Sequence, residues 1–444
     1  MSTLLLVLCY ANAVSAEEAI GDVVFSRGAV SAQTTGGQVR LLGKDAAIYL
    51  SDTIITAPKS FAVIRLNDGT RLSIRPDSIL TISEYADKAG EESATMRLFR
   101  GGLRSISGLI SKKDPDAFKI KTAVATIGIR GTEFDARLCE TDCANEASKM
   151  TGKKVPNKSS VVGRVAFIKG NVSAQKKDKK TRILTSGAPL YESDEITTAK
   201  DAYAVLVFRD QGRVTLKPET QFHIEKYNYE KEDPESDSSF FRLAKGGMRA
   251  LSGYMSKRNP DKYKIKTAVA TIGIRGTGFD LLWLGPCTTM PDCGLIASVW
   301  QGTISTENDA GSEDLELNQT ARISTINVGQ QMLDSAPVFN VPRPDTLNID
   351  FKKLFDTVKA SGESGLYVAC YEGHCKLLKE DEEIDLGAGE AGFADEQRLL
   401  RLEQIEPFQQ NDPYLNNINE ELHTLYEILD DSVIEETEFE CVVQ

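Results

Sequence analysis

Apolar and polar residues alternate with a period of two along most of the chain. Between Phe61 and Leu66, the residues Ala62, Ile64 and Leu66 fall on one face, and after Asn67-Asp68-Gly69 the residues Leu72 and Ile74 do the same. Strand side chains point alternately to opposite faces, so two such runs joined by Asp-Gly predict a β-hairpin. The same pattern returns around Arg209 to Gly212, and Leu80 with Ile82, like Phe222 with Ile224, predicts a further strand. Glycines recur at short intervals and predict tight turns or bulges. One helical turn is expected near Leu103 to Ile110.

The strand pattern occurs twice because the chain is internally duplicated. Lys119 to Asp135 reads KIKTAVATIGIRGTEFD and Lys264 to Asp280 reads KIKTAVATIGIRGTGFD, differing only at Glu133 against Gly278. The repeats begin at Gly21 and Gly163 and keep register through Ser51-Asp52 against Ser193-Asp194, and Tyr85 against Tyr227. A short insertion in the polar stretch Tyr229 to Ser239 then shifts the offset, as a surface loop tolerates. Internal repeats of this size predict two similar domains.

The rest of the chain has a different pattern. GLIASVWQG at Gly294 to Gly302 aligns with GLYVACYEG at Gly365 to Gly373, and each is read as a strand, a glycine turn and a returning strand. With the Pro-bearing connector Pro337 to Pro344, residues 303–392 form an expected smaller β-module. A short helix is expected within Asn348 to Lys359, where Phe351, Leu354 and Val358 follow helical spacing. Residues 393–444 are expected to be an acidic helical tail. Asp412-Pro413 is read as a helix start, and Leu415, Ile418, Leu422, Leu425 and Leu429 form a stripe that would dock on the body or self-associate.

Charge sharpens that division. Lys376 to Gln444 holds 20 acidic and 4 basic side chains, whereas the other 375 residues hold 45 acidic and 48 basic. The net charge of −13 therefore belongs to the tail, and bulk charge does not point to nucleic acid. Residues 1–16 read as a signal peptide, with the apolar run Leu4 to Leu8 and small residues up to Ala16. No segment has the length of apolar sequence a transmembrane helix needs. The cysteines agree with export: Cys139 with Cys143, Cys287 with Cys293 and Cys370 with Cys375 are close pairs, expected as disulfides, while Cys441 is left over. None has zinc-ligand spacing, and no metal or cofactor is expected.

No catalytic constellation is present in the sequence. His223, His374 and His423 are scattered, and the phosphate-binding, nucleophile-elbow and HExxH patterns are absent. The candidate binding residues are basic. Lys112 and Lys113 precede the first copy of the motif, and Lys257 and Arg258 precede the second. They would form a duplicated cationic patch for an anionic envelope polymer, or else a solvated loop. Arg130 and Arg275 inside the motif would either meet a ligand or hydrogen-bond carbonyls of a neighbouring turn, and the second reading is preferred.

The succession G-x-V-x-x-x-x-G-x-V, S-D-x-I-x-T, an Ala-Val hairpin and a closing R-G-T-x-F-D resembles the FecR domain. The resemblance covers about Gly21 to Ala144 and Gly163 to Gly294, and ATIGIRGT followed by a cysteine pair looks like exported FecR-domain proteins of Gram-negative bacteria. It implies an all-β protein with tandem FecR-like β-sandwich or β-roll domains, a smaller β-module and a helical tail. The expected boundaries are 1–16, 17–160, 161–302, 303–392 and 393–444. It further implies a non-enzymatic periplasmic, cell-surface or secreted protein that binds an envelope polymer or envelope protein. The alternative is the periplasmic sensor component of a transmembrane signalling system. Members that regulate iron uptake carry a cytoplasmic sigma-factor-binding segment and a membrane span, which this sequence lacks, so that activity is not carried over.

Overall fold

The computed structural model describes residues 18–113, 117–130, 133–149, 159–176, 181–287, 293–360, 362–412 and 414. The expected signal peptide, the stripe Leu415 to Leu429, Cys9, His423 and Cys441 lie outside them. The protein is mostly β, and it divides into two compact units. One contains repeat one with 362–368 and the segment from Pro407; the other contains repeat two through 360, and 369–406.

In repeat one, the expected hairpin forms between Phe61–Leu66 and Arg71–Ile74, with Ala62 opposite Ile74. Phe61 and Val63, on the opposite face from the predicted inward residues, are buried as well, because Phe25 and Tyr414 pack against them. A 14-residue strand, Ser93–Ile106, then organises the repeat. Its first half pairs in parallel with Phe118–Lys121, and its second half pairs antiparallel with Glu133–Cys139. The motif therefore contacts both ends of one strand. Helix begins only at Leu109, with Leu109–Lys113, so the expected turn near Leu103 is strand as far as Ile106.

Repeat two copies this plan with Ser238–Leu251, Tyr263–Lys266 and Thr271–Trp283. The bend in each long strand explains its double glycine. Gly101 and Gly246 have φ of +77° and +79°, and a Cβ there would stand 2.2 Å from Ser78 Oγ or 2.5 Å from Thr220 Oγ1. Those hydroxyls bind the backbone N–H of Gly102 and Gly247, each at 3.0 Å. The core of repeat two is aromatic at its centre, where Phe241 touches Phe208, Phe222, Tyr227 and Tyr263.

Beyond repeat two, two expectations change. Gly302 does not make a turn: with φ of +72° it bulges a continuous strand, Leu295–Asn308, which extends the sheet of repeat two. Residues 393–406 also do not begin a helical tail. Leu399–Leu402 pairs antiparallel with Glu390–Ala394, because each strand gains a hydrogen-bonding neighbour in the hairpin. Phe351–Phe355 is a helix as expected, capped by Asp350, whose carboxylate accepts from Lys353 N at 3.0 Å. A second short helix, Pro407–Gln410, follows in the unit of repeat one.

Candidate functional site

The basic segments are placed by the aspartate of the preceding hairpin turn. In repeat one, Asp68 is buried; its Oδ1 accepts from Thr70 N at 3.0 Å, its carbonyl from Leu109 N at 2.9 Å, and its Oδ2 from Ile110 N at 3.3 Å. Asp210 does the same in repeat two, receiving Gly212 N at 3.0 Å, Tyr254 N at 2.7 Å and Met255 N at 3.3 Å. Tyr85 and Tyr227 close the two turns by accepting from Asp68 N and Asp210 N. Burial pushes the Asp210 carboxyl up despite these donors, and pushes the Tyr227 phenol well above its usual value. Each turn thus anchors the start of a short helix, and in repeat two that helix carries Lys257 and Arg258.

Anchoring takes Arg258 out of the expected patch in repeat two but leaves Lys257 in it. Arg258 folds back to Asp237 at 2.6 Å, donates to the carbonyls of Glu230 and Lys231, and stacks on Tyr229. Lys257 is exposed beside Gly276. Arg275 is also exposed, opposite Thr303 in the sheet, and its side chain makes no hydrogen bond or ion pair with the described residues. The carbonyl bonding expected of a structural arginine is therefore not made. The side chains of Lys112, Lys113 and Arg130 lie outside the description.

What the motif does position is its last residue. Sheet register places Asp135 opposite Arg104 and Asp280 opposite Arg249. Arg104 Nη2 reaches Asp135 at 3.1 Å; Arg249 grips Asp280 with two parallel bonds of 3.0 Å. Each pair then takes a third partner from elsewhere in its own unit. In repeat one, Gln409 Nε2 donates to Asp135, and Arg75 beside it holds Asp412 and Glu146. In repeat two, Trp300 Nε1 donates to Asp280 at 3.1 Å, and Arg249 Nη1 donates to the Val341 carbonyl at 3.2 Å. The connector's Phe339 lies under Lys217 and Arg249, while Arg343 stacks over Trp300 at 3.9 Å. In each repeat, the motif's aspartate therefore helps to hold a segment from near the chain's end or from the connector.

Trp300 also explains the one difference between the twin motifs. A Cβ on Gly278 would stand 2.2 Å from the indole Cζ3, so no side chain fits where repeat one has Glu133. Sequence reasoning missed Arg104, Arg249, Asp68 and Asp210 as organising residues. Their signal was present in the sequence, since Arg104 and Arg249 keep the spacing of the two motif copies.

Two of the three expected disulfides are formed, Cys139 to Cys143 and Cys287 to Cys293. Cys370 and Cys375 are instead two buried thiols with sulfurs 2.7 Å apart, and burial raises the Cys370 pKa. His374 starts the strand His374–Lys379 and is buried, 3.5 Å from Asp385. His223 lies half-exposed on its strand, 3.9 Å from Glu195. Among the described residues no group of three or more His, Cys, Asp or Glu is placed to hold a metal. No helix among them is long and apolar enough to cross a membrane.

The family described as FecR protein matches residues 52–153 and 194–304, one region in each repeat. Among solved structures, the chain is similar to a "putative anti-sigma factor" from Parabacteroides distasonis, in crystals at 1.65 and 2.50 Å resolution. Each comparison gives 14% identity and a TM-score of 0.23, covering 31% of this chain and 57% of the other. The chain thus matches little more than half the length of that protein. No curated protein matches it.

Proposed function

We propose that this chain, each of whose repeats matches the FecR family, is a non-enzymatic binding or scaffold protein of the cell envelope, with a sensing role. The observation that carries this reading is the duplicated Arg–Asp pair, which is used in both repeats to hold a chain segment rather than to face an open cleft with a base and a nucleophile. Repetition of a weak binding surface raises avidity when both copies can be engaged together. The exposed Lys257 and Arg275 are the residues of the proposed polymer- or ligand-binding surface in repeat two, with Lys112, Lys113 and Arg130 their counterparts. We propose the divisions at 16 and 160 as functional boundaries, whereas those expected at 302 and 392 fall inside the strand Leu295–Asn308 and the hairpin of Glu390–Ala394 with Leu399–Leu402; export by residues 1–16 is the proposed route to the periplasm or cell surface.

The second reading, a periplasmic sensor that relays through a membrane partner, rests on the FecR family itself. One experiment tests both. Crosslinking in living cells, followed by identification of the captured partners, returns envelope proteins or polymer for the first reading. A membrane-spanning signalling protein supports the second. Recovery of cytoplasmic proteins alone overturns both.

A further inference from the structure

The unit of repeat two contains a cavity of about 210 Å³ that none of the foregoing uses. At about 30 Å³ per water in the liquid, that is room for about seven waters, or for one small organic group. Phe167 and Leu354 supply apolar wall, Glu383 and Asp385 supply carboxylates, and Lys353 and Arg401 supply positive charge. The cations are not equivalent to the carboxylates. Arg401 spends its donors on carbonyls, the Asp385 carbonyl through Nε and Nη2 and the Lys353 carbonyl through Nη1. Lys353 stands exposed at the rim.

Asp385 is different. It is only 2% exposed, yet among the described residues nothing donates a hydrogen bond to its Oδ1. Arg164, like Arg401, binds the Asp385 carbonyl and gives its charged bond to Glu390 instead. His374 stops 3.5 Å away. That oxygen is shut off from solvent and faces His374, so the oxygen that a ligand in the cavity would meet is Oδ2. Gly187 keeps the other oxygen uncovered, because a Cβ there would lie 2.8 Å from Asp385 Oδ2.

The aromatic wall supports the same reading. Phe167 is 46% exposed, whereas its counterpart in repeat one, Phe25, is 7% exposed and packs with Phe61 and Val63, against which Tyr414 closes. Repeat one thus covers this aromatic position with its own chain, and repeat two leaves it open in a cavity that Asp350, Glu383 and Asp385 also line. An aromatic face together with carboxylate oxygens is the chemistry that recognises an organic cation.

We propose that this cavity binds a small organic cation, an ammonium or guanidinium group, that donates to Asp385 and lies on Phe167. The site goes beyond the FecR reading and stands or falls separately from it. The same chemistry arrives on a free amine or on a basic side chain of a partner protein, so the test uses both. Calorimetric titration of the full chain with agmatine and with the blocked peptide acetyl-Gly-Arg-Gly-amide gives saturable binding for at least one, and none for butylurea. Binding of agmatine alone identifies a free amine as the ligand class; binding of the peptide alone identifies a protein side chain. Asp385→Asn weakens the bound probe about tenfold, the scale of one charge-assisted hydrogen bond. Phe167→Ala, at an exposed site that does not threaten folding, weakens it about threefold. Should Asp385→Asn fail to fold, Phe167→Ala and Glu383→Gln carry the comparison. Absence of binding by both cations, equal binding of butylurea, or native affinity in the folded variants overturns the proposal.

Discussion

Repeat one and repeat two share a motif almost letter for letter, a strand order and the Arg–Asp pair at its end, yet they complete that pair differently. Repeat one uses Gln409 and neighbouring Asp412, contributed from far along the chain. Repeat two uses Trp300 from the next strand and the connector that follows it. A duplicated domain has conserved its internal bond and varied what the bond holds. The near-identity of the motif is therefore a property of the sheet, since the aspartate must lie opposite its arginine in register. The single exception, Gly278, is where the variable partner intrudes.

The comparison is broken most severely by removing the shared bond. Asp135→Ala removes the carboxylate paired with buried Arg104 and costs repeat one about 3–5 kcal/mol; chemical denaturation followed by a probe in each repeat should show that repeat unfolding first. Asp280→Ala should do the same to repeat two, with a smaller loss because Arg249 is less buried.

Making the motifs identical is the next test. Gly278→Glu drives a side chain into the Trp300 ring and should cost about 3 kcal/mol, the upper end for overpacking. The reverse change, Glu133→Gly, should cost about 1 kcal/mol, a strand glycine's penalty. Equal losses for the two substitutions, read from thermal unfolding, would remove Trp300 as the reason for the difference.

A pH dependence should distinguish the segment on repeat one. Burial, with Asp135 nearby, pushes the Asp412 carboxyl up to about 6 against the pull of Arg75. A folded pKa above the unfolded value means that the folded state holds the proton more tightly. Its contribution is complete below the ordinary carboxylate range and is lost as pH rises through about 6. Relative to Asp412→Asn, the native chain should therefore be roughly 2 kcal/mol more stable at about pH 4 than at about pH 7. A difference in melting temperature that is flat across that range would refute the assignment.

The most local effects belong to the cysteine pairs. Both bonds close short loops, so replacing Cys139 with Cys143, or Cys287 with Cys293, by serine pairs should cost about 2 kcal/mol or less in each repeat. A much larger loss in one repeat, measured by the same unfolding, would show that its bond orders more than the local turn.

Much of the fold was legible because β-structure writes itself locally. The alternation at Ala62, Ile64 and Leu66, the Asp-Gly turn and the double glycines all encode backbone geometry within a few residues. Where sequence reading failed, the deciding contact was distant. Gly302 looks like a turn glycine, but its neighbour across the sheet keeps the strand going. Residues 393–406 read as the start of a helical tail, yet the partner strand Glu390–Ala394 makes Leu399–Leu402 the other arm of a hairpin. Arg258 looks like a free surface charge until Asp237 is brought to it.

The opening duplication shows the same boundary. By itself the sequence determined that there are two domains of one kind, where their strands and turns fall, and that residues 119–135 and 264–280 do the same work, because those features depend on local spacing and repetition. Only the tertiary structure decided which arginine answers the motif's aspartate, why one glycine differs, and that Phe167 and Asp385 border one cavity. Those facts depend on chain segments that are far apart in sequence and adjacent only after the sheets have formed.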